Sequence, residues 1–177
     1  GAGGTGAAGT GGMGGAGGGG MAGAGGAGGA GCNCMLKVQY ECRQNGASVL
    51  QAEYSIKVVN TGTTSIALNN VSVRYWFTID GTGAQAGTCA STAHPCTIAF
   101  QNPATSKPTA DQYAVISFAS GTLAPGADTG EVQVTMHGTG MYNQANDYSF
   151  SDTGANFDDD PHITGYVSGK LTWGTAP

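Results

Sequence analysis

Apolar and polar residues alternate with a period of two along much of the chain, which is typical of strands that bury one face. In residues 53–59, for example, Tyr54, Ile56 and Val58 alternate with polar neighbours. Seven segments alternate in this way or are short apolar runs, at residues 36–42, 53–59, 71–78, 113–118, 132–136, 163–167 and 170–173. Turn residues separate them and no segment has a helical period, so the sequence predicts an all-β sandwich.

The first 31 residues follow a different pattern. They contain 19 of the 33 glycines and otherwise only Ala, Thr and Met, so they cannot build a core. Two interpretations remain open: a flexible linker, or an extended helix of the polyproline II type that pairs with copies of itself. We therefore expect two regions, a low-complexity segment at 1–31 and a sandwich at 32–177.

The charge of the chain excludes two classes of partner. The formal net charge is −5 with only six Lys and Arg residues, so contacts that neutralise phosphate groups are scarce. We expect neither nucleic acid nor an anionic membrane surface as a partner. No apolar run approaches the ~18 residues that a spanning helix needs.

Five cysteines in a short chain with few charges indicate an oxidising compartment, and hence a secreted protein at or outside the cell surface. Cys89 and Cys96 enclose six residues and predict a local disulfide. Cys32, Cys34 and Cys42 flank the first strand. We take Cys34 and Cys42 as a second pair, although the connectivity among the three stays open and reduced thiols are the alternative. The odd cysteine could join two chains.

Several longer stretches resemble family 3 carbohydrate-binding modules in the same order along the chain. They are residues 36–40, 57–62, 73–81, 121–126, 146–150 and 169–174, so the likeness covers about residues 35–177. The resemblance implies a jelly-roll sandwich of about nine strands, a structural calcium ion and no catalytic activity. Many such modules bind cellulose through a flat strip of aromatic and polar side chains.

The resemblance also implies a set of calcium ligands. The family uses a Thr-x-Asp pair at the end of one strand, which Thr78 and Asp80 match, and polar residues of a later loop, which Asn143, Asn146 and Asp147 match. Carboxylate, amide and hydroxyl oxygens suit Ca²⁺, a hard cation. The alternative is that these residues only form ordinary Asx turns.

The cellulose-binding strip of the family is largely absent from this sequence. Residues 87–91 stand where the family has an Asp-His pair and contain neither Asp nor His, and the stretch that carries an Arg and a Trp is shortened to residues 136–142. Tyr142 and His137 are the residues left as candidates for carbohydrate contact.

Two functions therefore compete. The first, which we prefer at this point, is a non-catalytic structural protein that assembles with copies of itself into an extracellular filament or matrix through the Gly-rich segment. The alternative is a cellulose- or polysaccharide-binding module that a flexible Gly-rich linker joins to a larger protein. No arrangement of His, Ser, Cys or paired carboxylates indicates an enzyme.

Overall fold

The structure is a computed structural model that describes residues 35–81, 83–152 and 154–177, together with Gly1, Gly3 and Gly4. The chain divides into two units, Gly1–Gly31 and Cys32–Pro177, and the described strands belong to the second. The predictions for the Gly-rich segment, and for Cys32 and Cys34, fall on residues outside the described ones.

The described residues form strands and two short 3-10 helices, Leu68–Asn70 and Gln144–Asn146. The strands in chain order are β1 (Leu36–Cys42), β2 (Ser48–Val49), β3 (Ala52–Asn60), β4 (Ile66–Ala67), β5 (Val71–Phe77), β6 (Ala86–Ser91), β7 (Cys96–Gln101), β8 (Gln112–Phe118), β9 (Thr122–Leu123), β10 (Val132–His137), β11 (Tyr142–Asn143), β12 (Asp158–Asp159), β13 (Thr164–Val167) and β14 (Lys170–Trp173). Nine of these strands have four or more residues, which agrees with the predicted jelly-roll sandwich of about nine strands.

Two five-stranded sheets carry the fold. The first has the order β12-β1-β3-β10-β6 and the second the order β14-β13-β5-β8-β7, with all neighbours antiparallel. Two short ladders, β11 with β2 and β4 with β9, lie beside them. Antiparallel sheets with one buried face produce the alternation seen in the sequence.

The core lies between the inner faces of the two sheets. Tyr54 of the first sheet stacks on Tyr75 of the second, with ring centroids 4.4 Å apart, and Tyr40 lies 5.8 Å from Tyr54. Buried aliphatic residues such as Val38, Ile56 and Ile116 surround these rings. A smaller apolar cluster of Trp76, Ala110 and Tyr113 lies apart from this main core.

A disulfide between Cys89 and Cys96 links the two sheets at one edge. Cys89 belongs to β6, the last strand of the first sheet, and Cys96 begins β7, the last strand of the second. This predicted pair is therefore confirmed. The second predicted pair is wrong, because Cys42 is a buried free thiol at the end of β1.

The backbone conformation of the turn between β13 and β14 explains why Ser168 and Gly169 occupy it. Ser168 and Gly169 both adopt positive φ, at 50° and 76°. Two residues with positive φ between paired strands are typical of a tight hairpin, and Gly is the residue that adopts this conformation without strain. Within the described ranges, no helix is long and apolar enough to cross a membrane.

Candidate functional site

The five predicted calcium ligands come together where β5 ends and the 3-10 helix 144–146 follows β11. The backbone N–H of Thr78 donates to Asp147 Oδ1 at 2.8 Å, and Thr78 Oγ1 donates to the carbonyl of Asn146 at 3.2 Å. Asp80 binds the same loop, since its Oδ2 accepts from Asn143 N at 2.6 Å and its Oδ1 from Asn146 Nδ2 at 3.3 Å. The loop is thus anchored to the end of β5 by polar groups.

Two oxygens of this cluster are buried and have no hydrogen-bond partner. They are Asn146 Oδ1 and Asp147 Oδ2. A buried acceptor without a partner costs about 1–3 kcal/mol, more when it is charged, so native proteins rarely leave one unsatisfied. Here two such acceptors lie on neighbouring residues of one site.

The electrostatics of the site also favour a cation. Burial raises the pKa of Asp147 to about 8; the hydrogen bond from Thr78 N opposes this shift, and the negative charges of Asp80 and Asp111 add to it. None of these three aspartates forms a salt bridge within the described residues. A positive charge placed among them would stabilise their ionised forms.

Sequence reasoning missed Asp111 as a neighbour of this site. Its Oδ1 accepts from the backbone N–H of Ile79 at 2.8 Å. The signal was present in strand pairing, because Phe77 pairs with Gln112 and so brings the residue before Gln112 next to the end of β5. That register could not be read from the alternation pattern of either strand alone.

The residues present fit a hard divalent cation. Carboxylate, amide and hydroxyl oxygens are the donors that Ca²⁺ accepts, and the set contains no thiol or imidazole. The described part of the chain holds no group of three or more His, Cys, Asp or Glu arranged for a metal ion. The predicted set of ligands does not require such a group, because three of its five residues, Thr78, Asn143 and Asn146, are neutral oxygen donors.

The surface of the sandwich lacks the aromatic strip that flat cellulose binding uses. All fourteen Phe, Tyr and Trp residues lie in the described part of the chain, and each is buried or half-buried. Tyr142, a predicted carbohydrate contact, is only 2% exposed; its ring faces Phe77 and its hydroxyl donates to Gln85. That prediction is wrong, since β11 directs this side chain into the core.

His137, the other candidate, lies exposed at the end of β10. It pairs in register with Ala86 of the edge strand β6. Its contact with carbohydrate stays a prediction.

The outer face of the first sheet is polar, and its charges are largely paired. Lys37 Nζ donates to Asp159 at 3.0 Å, and Arg43 contacts Glu131 at 2.9 Å. Hydrogen bonds from Ser55 and Gln133 lower the pKa of Glu131, and the positive charge of Arg43 adds to that shift. This face offers hydrogen-bonding groups and no exposed ring.

Fold and site together define a β-sandwich module with a candidate divalent-cation site and no aromatic platform. The profile of the cellulose binding domain family matches residues 37–174. The chain therefore belongs to this family of carbohydrate-binding modules, which is non-catalytic, and the prediction that the chain is not an enzyme is confirmed.

Individual relatives show the same relationship. The chain is 35% identical over 149 residues to the beta-mannanase/endoglucanase A of Caldicellulosiruptor saccharolyticus. This alignment covers 80% of this chain but only 11% of that enzyme. The chain is 34% identical over 147 residues to a Paenibacillus lautus protein encoded in the celA 5' region, covering 79% of this chain and all of that protein. A module with flanking linkers from a cellulosome scaffoldin of Clostridium thermocellum superposes with a TM-score of 0.74 at 31% identity, covering 80% of this chain and 91% of that one.

Proposed function

We propose that this chain is a non-catalytic polysaccharide-binding module of a larger extracellular protein, with cellulose or a related β-glucan as its ligand. The observation that carries the proposal is the match of residues 37–174 to the cellulose binding domain family, over nearly the whole sandwich. The chain spans only 11% of the enzyme to which it is similar. This fits a module that is one part of a longer protein.

The known relatives favour this function over the filament preferred from the sequence alone. Relatives of the sandwich include part of an enzyme and part of a scaffoldin, and neither of their names describes a filament. Self-assembly through the Gly-rich segment stays a prediction, because residues 5–34 lie outside the described part of the chain. An extracellular location is supported by the Cys89–Cys96 disulfide and by the cellulosome origin of the structural relative.

The surface of the sandwich suggests which physical form of the ligand it binds. Sugar rings on a crystalline cellulose face are bound by coplanar aromatic rings, and this chain has no exposed aromatic residue. The exposed groups that remain for sugar contact are polar or aliphatic, and polar groups bind individual hydroxyl groups by hydrogen bonds. We therefore propose separate or disordered glucan chains as the ligand, rather than the flat face of a crystal.

A structural calcium ion is the second part of the proposal. Thr78, Asp80, Asn143, Asn146 and Asp147 would hold it, and the two unpartnered buried oxygens on Asn146 and Asp147 support this assignment. When bound, the ion would neutralise the aspartates and tie the loop that contains β11 to the end of β5. Its role would be to stabilise the fold, with no part in a reaction.

Binding to insoluble cellulose tests the main proposal. The full chain is mixed with regenerated amorphous cellulose and, separately, with microcrystalline cellulose, and unbound protein is measured after sedimentation. We expect saturable binding to the amorphous form and weaker binding per unit of accessible surface to the crystalline form. Protein that stays entirely in the supernatant with both materials would contradict the proposed function.

A further inference from the structure

A cleft of about 640 Å³ opens at one end of the sandwich, between the segment that joins β1 to β3 and the residue that precedes β11. Its lining includes the side chains of Gln44, Asn45, Ser48, Leu50, Gln51 and Met141. The volume lies within the range of ~300–1,000 Å³ that is typical of ligand sites.

The walls of the cleft are held in place by the buried side chain of Gln144. Its Nε2 donates to the carbonyls of Gln44 and Gly46, both at 2.8 Å. Strand β2 pairs with β11, which brings Val49 opposite Tyr142 beneath the cleft. Both of these side chains are buried, so the exposed residues above them rest on a packed base.

The chemistry of the lining is neutral throughout. No residue that lines the cleft has an ionisable side chain, whereas the outer face of the first sheet is rich in charges. Amide and hydroxyl groups alternate here with aliphatic surface. That combination suits a ligand that has many hydroxyl groups, apolar C–H faces and no charge.

Two exposed apolar side chains lie in the same cleft. Leu50 is 74% exposed and Met141 is 47% exposed. Within the described residues they are two of the four large apolar side chains that are exposed, the others being Met35 and Leu171. Apolar side chains that cluster in an exposed concave site mark a binding surface more often than isolated ones do.

We propose that this cleft binds one neutral β-glucan chain, with Leu50 and Met141 against the C–H face of a sugar ring. The amides of Gln44 and Asn45 are placed to bind its hydroxyl groups, and Gln51, whose Nε2 donates to Glu53, offers its amide oxygen as an acceptor. This inference rests on the proposed function and names the surface that performs it. Aliphatic contacts thus take the place of the absent aromatic strip.

The test compares Leu50→Ala and Met141→Ala with Leu171→Ala as a matched control. Leu171 is an exposed apolar residue on β14, at the edge of the second sheet and outside the cleft lining. Binding of cellohexaose and of regenerated amorphous cellulose is measured with each full-length variant. We expect each cleft variant to lose about five- to tenfold in affinity, the effect of one aliphatic contact, and the control to bind like the wild type.

The outcomes separate this inference from the proposed function. Cellulose binding that is equally strong in the wild type and in all three variants would overturn the cleft but leave the proposed function standing. An equal loss in the control would also overturn the cleft. Failure of the wild type to bind any neutral glucan would defeat the proposed function itself. Far-ultraviolet circular dichroism of each variant verifies folding, which substitutions of exposed side chains leave intact.

Discussion

Removal of divalent cations is expected to lower the stability of the sandwich, because two buried oxygens then lack a partner. Asn146 Oδ1 and Asp147 Oδ2 are these oxygens, and an unsatisfied buried acceptor costs about 1–3 kcal/mol. A calcium ion that binds both oxygens, as we propose, would therefore relieve about 2–6 kcal/mol. Mass action gives a consistent value, since ligand at about 100 times its dissociation constant stabilises a protein by about 2.7 kcal/mol.

The assay is thermal unfolding of the full chain with excess calcium, with excess magnesium and with a chelator. For a domain of this size, about 2.7 kcal/mol corresponds to a shift of about 10 °C in the unfolding midpoint. We expect calcium to restore the higher midpoint and magnesium to do so less well, because Mg²⁺ gives up its water ligands reluctantly.

A pair of variants assigns the effect to the site. Asp147→Asn keeps the shape of the side chain but removes its charge, and we expect its midpoint to respond little to calcium. Asp128→Asn is the control, since Asp128 is exposed and accepts from Gly130 N in a turn outside the site. Equal midpoints of the wild type with calcium and with chelator would refute the reasoning.

Other features of the fold give three more testable expectations. Replacing Cys89 and Cys96 together by Ser is expected to destabilise the protein by about 2.4 kcal/mol, the loop-closure entropy for cysteines seven positions apart; denaturant titration measures this loss, and an unchanged midpoint would contradict it. Gly174→Ala places a Cβ 2.6 Å from the carbonyl oxygen of Pro161 at φ 78°, and should lower the free energy of unfolding by about 3 kcal/mol. Gly126→Ala also has a positive φ but open space around the new Cβ, and should lower it by about 1 kcal/mol. Thermal unfolding of both variants measures the difference, and equal losses would contradict the steric argument. Tyr142→Phe should leave glucan binding unchanged, since a buried ring cannot stack on a sugar; a large loss in a binding isotherm would restore Tyr142 as a contact.

The alternation of apolar residues predicted the strands that build the core, because burial follows a period of two along most of β1, β3 and β5. In β3 the alternating apolar residues Tyr54, Ile56 and Val58 are buried, as the pleat of a strand requires. Strands β6 and β7 were not predicted. They lie at the sheet edges and alternate between exposed and half-buried positions, so they lack the contrast that reveals a core strand.

The residues of the candidate cation site could be predicted where a short sequence motif contains them. They could not be predicted where only the register of two paired strands brings a residue near. Thr78 and Asp80 lie two residues apart, and Asn146 and Asp147 are adjacent, so the resemblance to the family located all four. Asp111 was missed, because only the pairing of β5 with β8 brings it near.

The prediction that Tyr142 contacts carbohydrate was wrong for a related reason. The direction of its side chain depends on a two-residue ladder between β11 and β2 that no local pattern reveals. The cleft is likewise invisible in the sequence, since it is formed by residues about 90 positions apart.

Chemical-shift mapping of the full chain with cellohexaose tests most directly whether this family 3 module binds glucan chains without an aromatic strip. We expect the backbone amide signals of residues 44–51 and of Met141 to move together and to saturate with a single dissociation constant. Signals from the outer face of the second sheet should stay in place. Shifts confined to any other surface, or none at saturating sugar, would contradict the binding surface proposed for this chain.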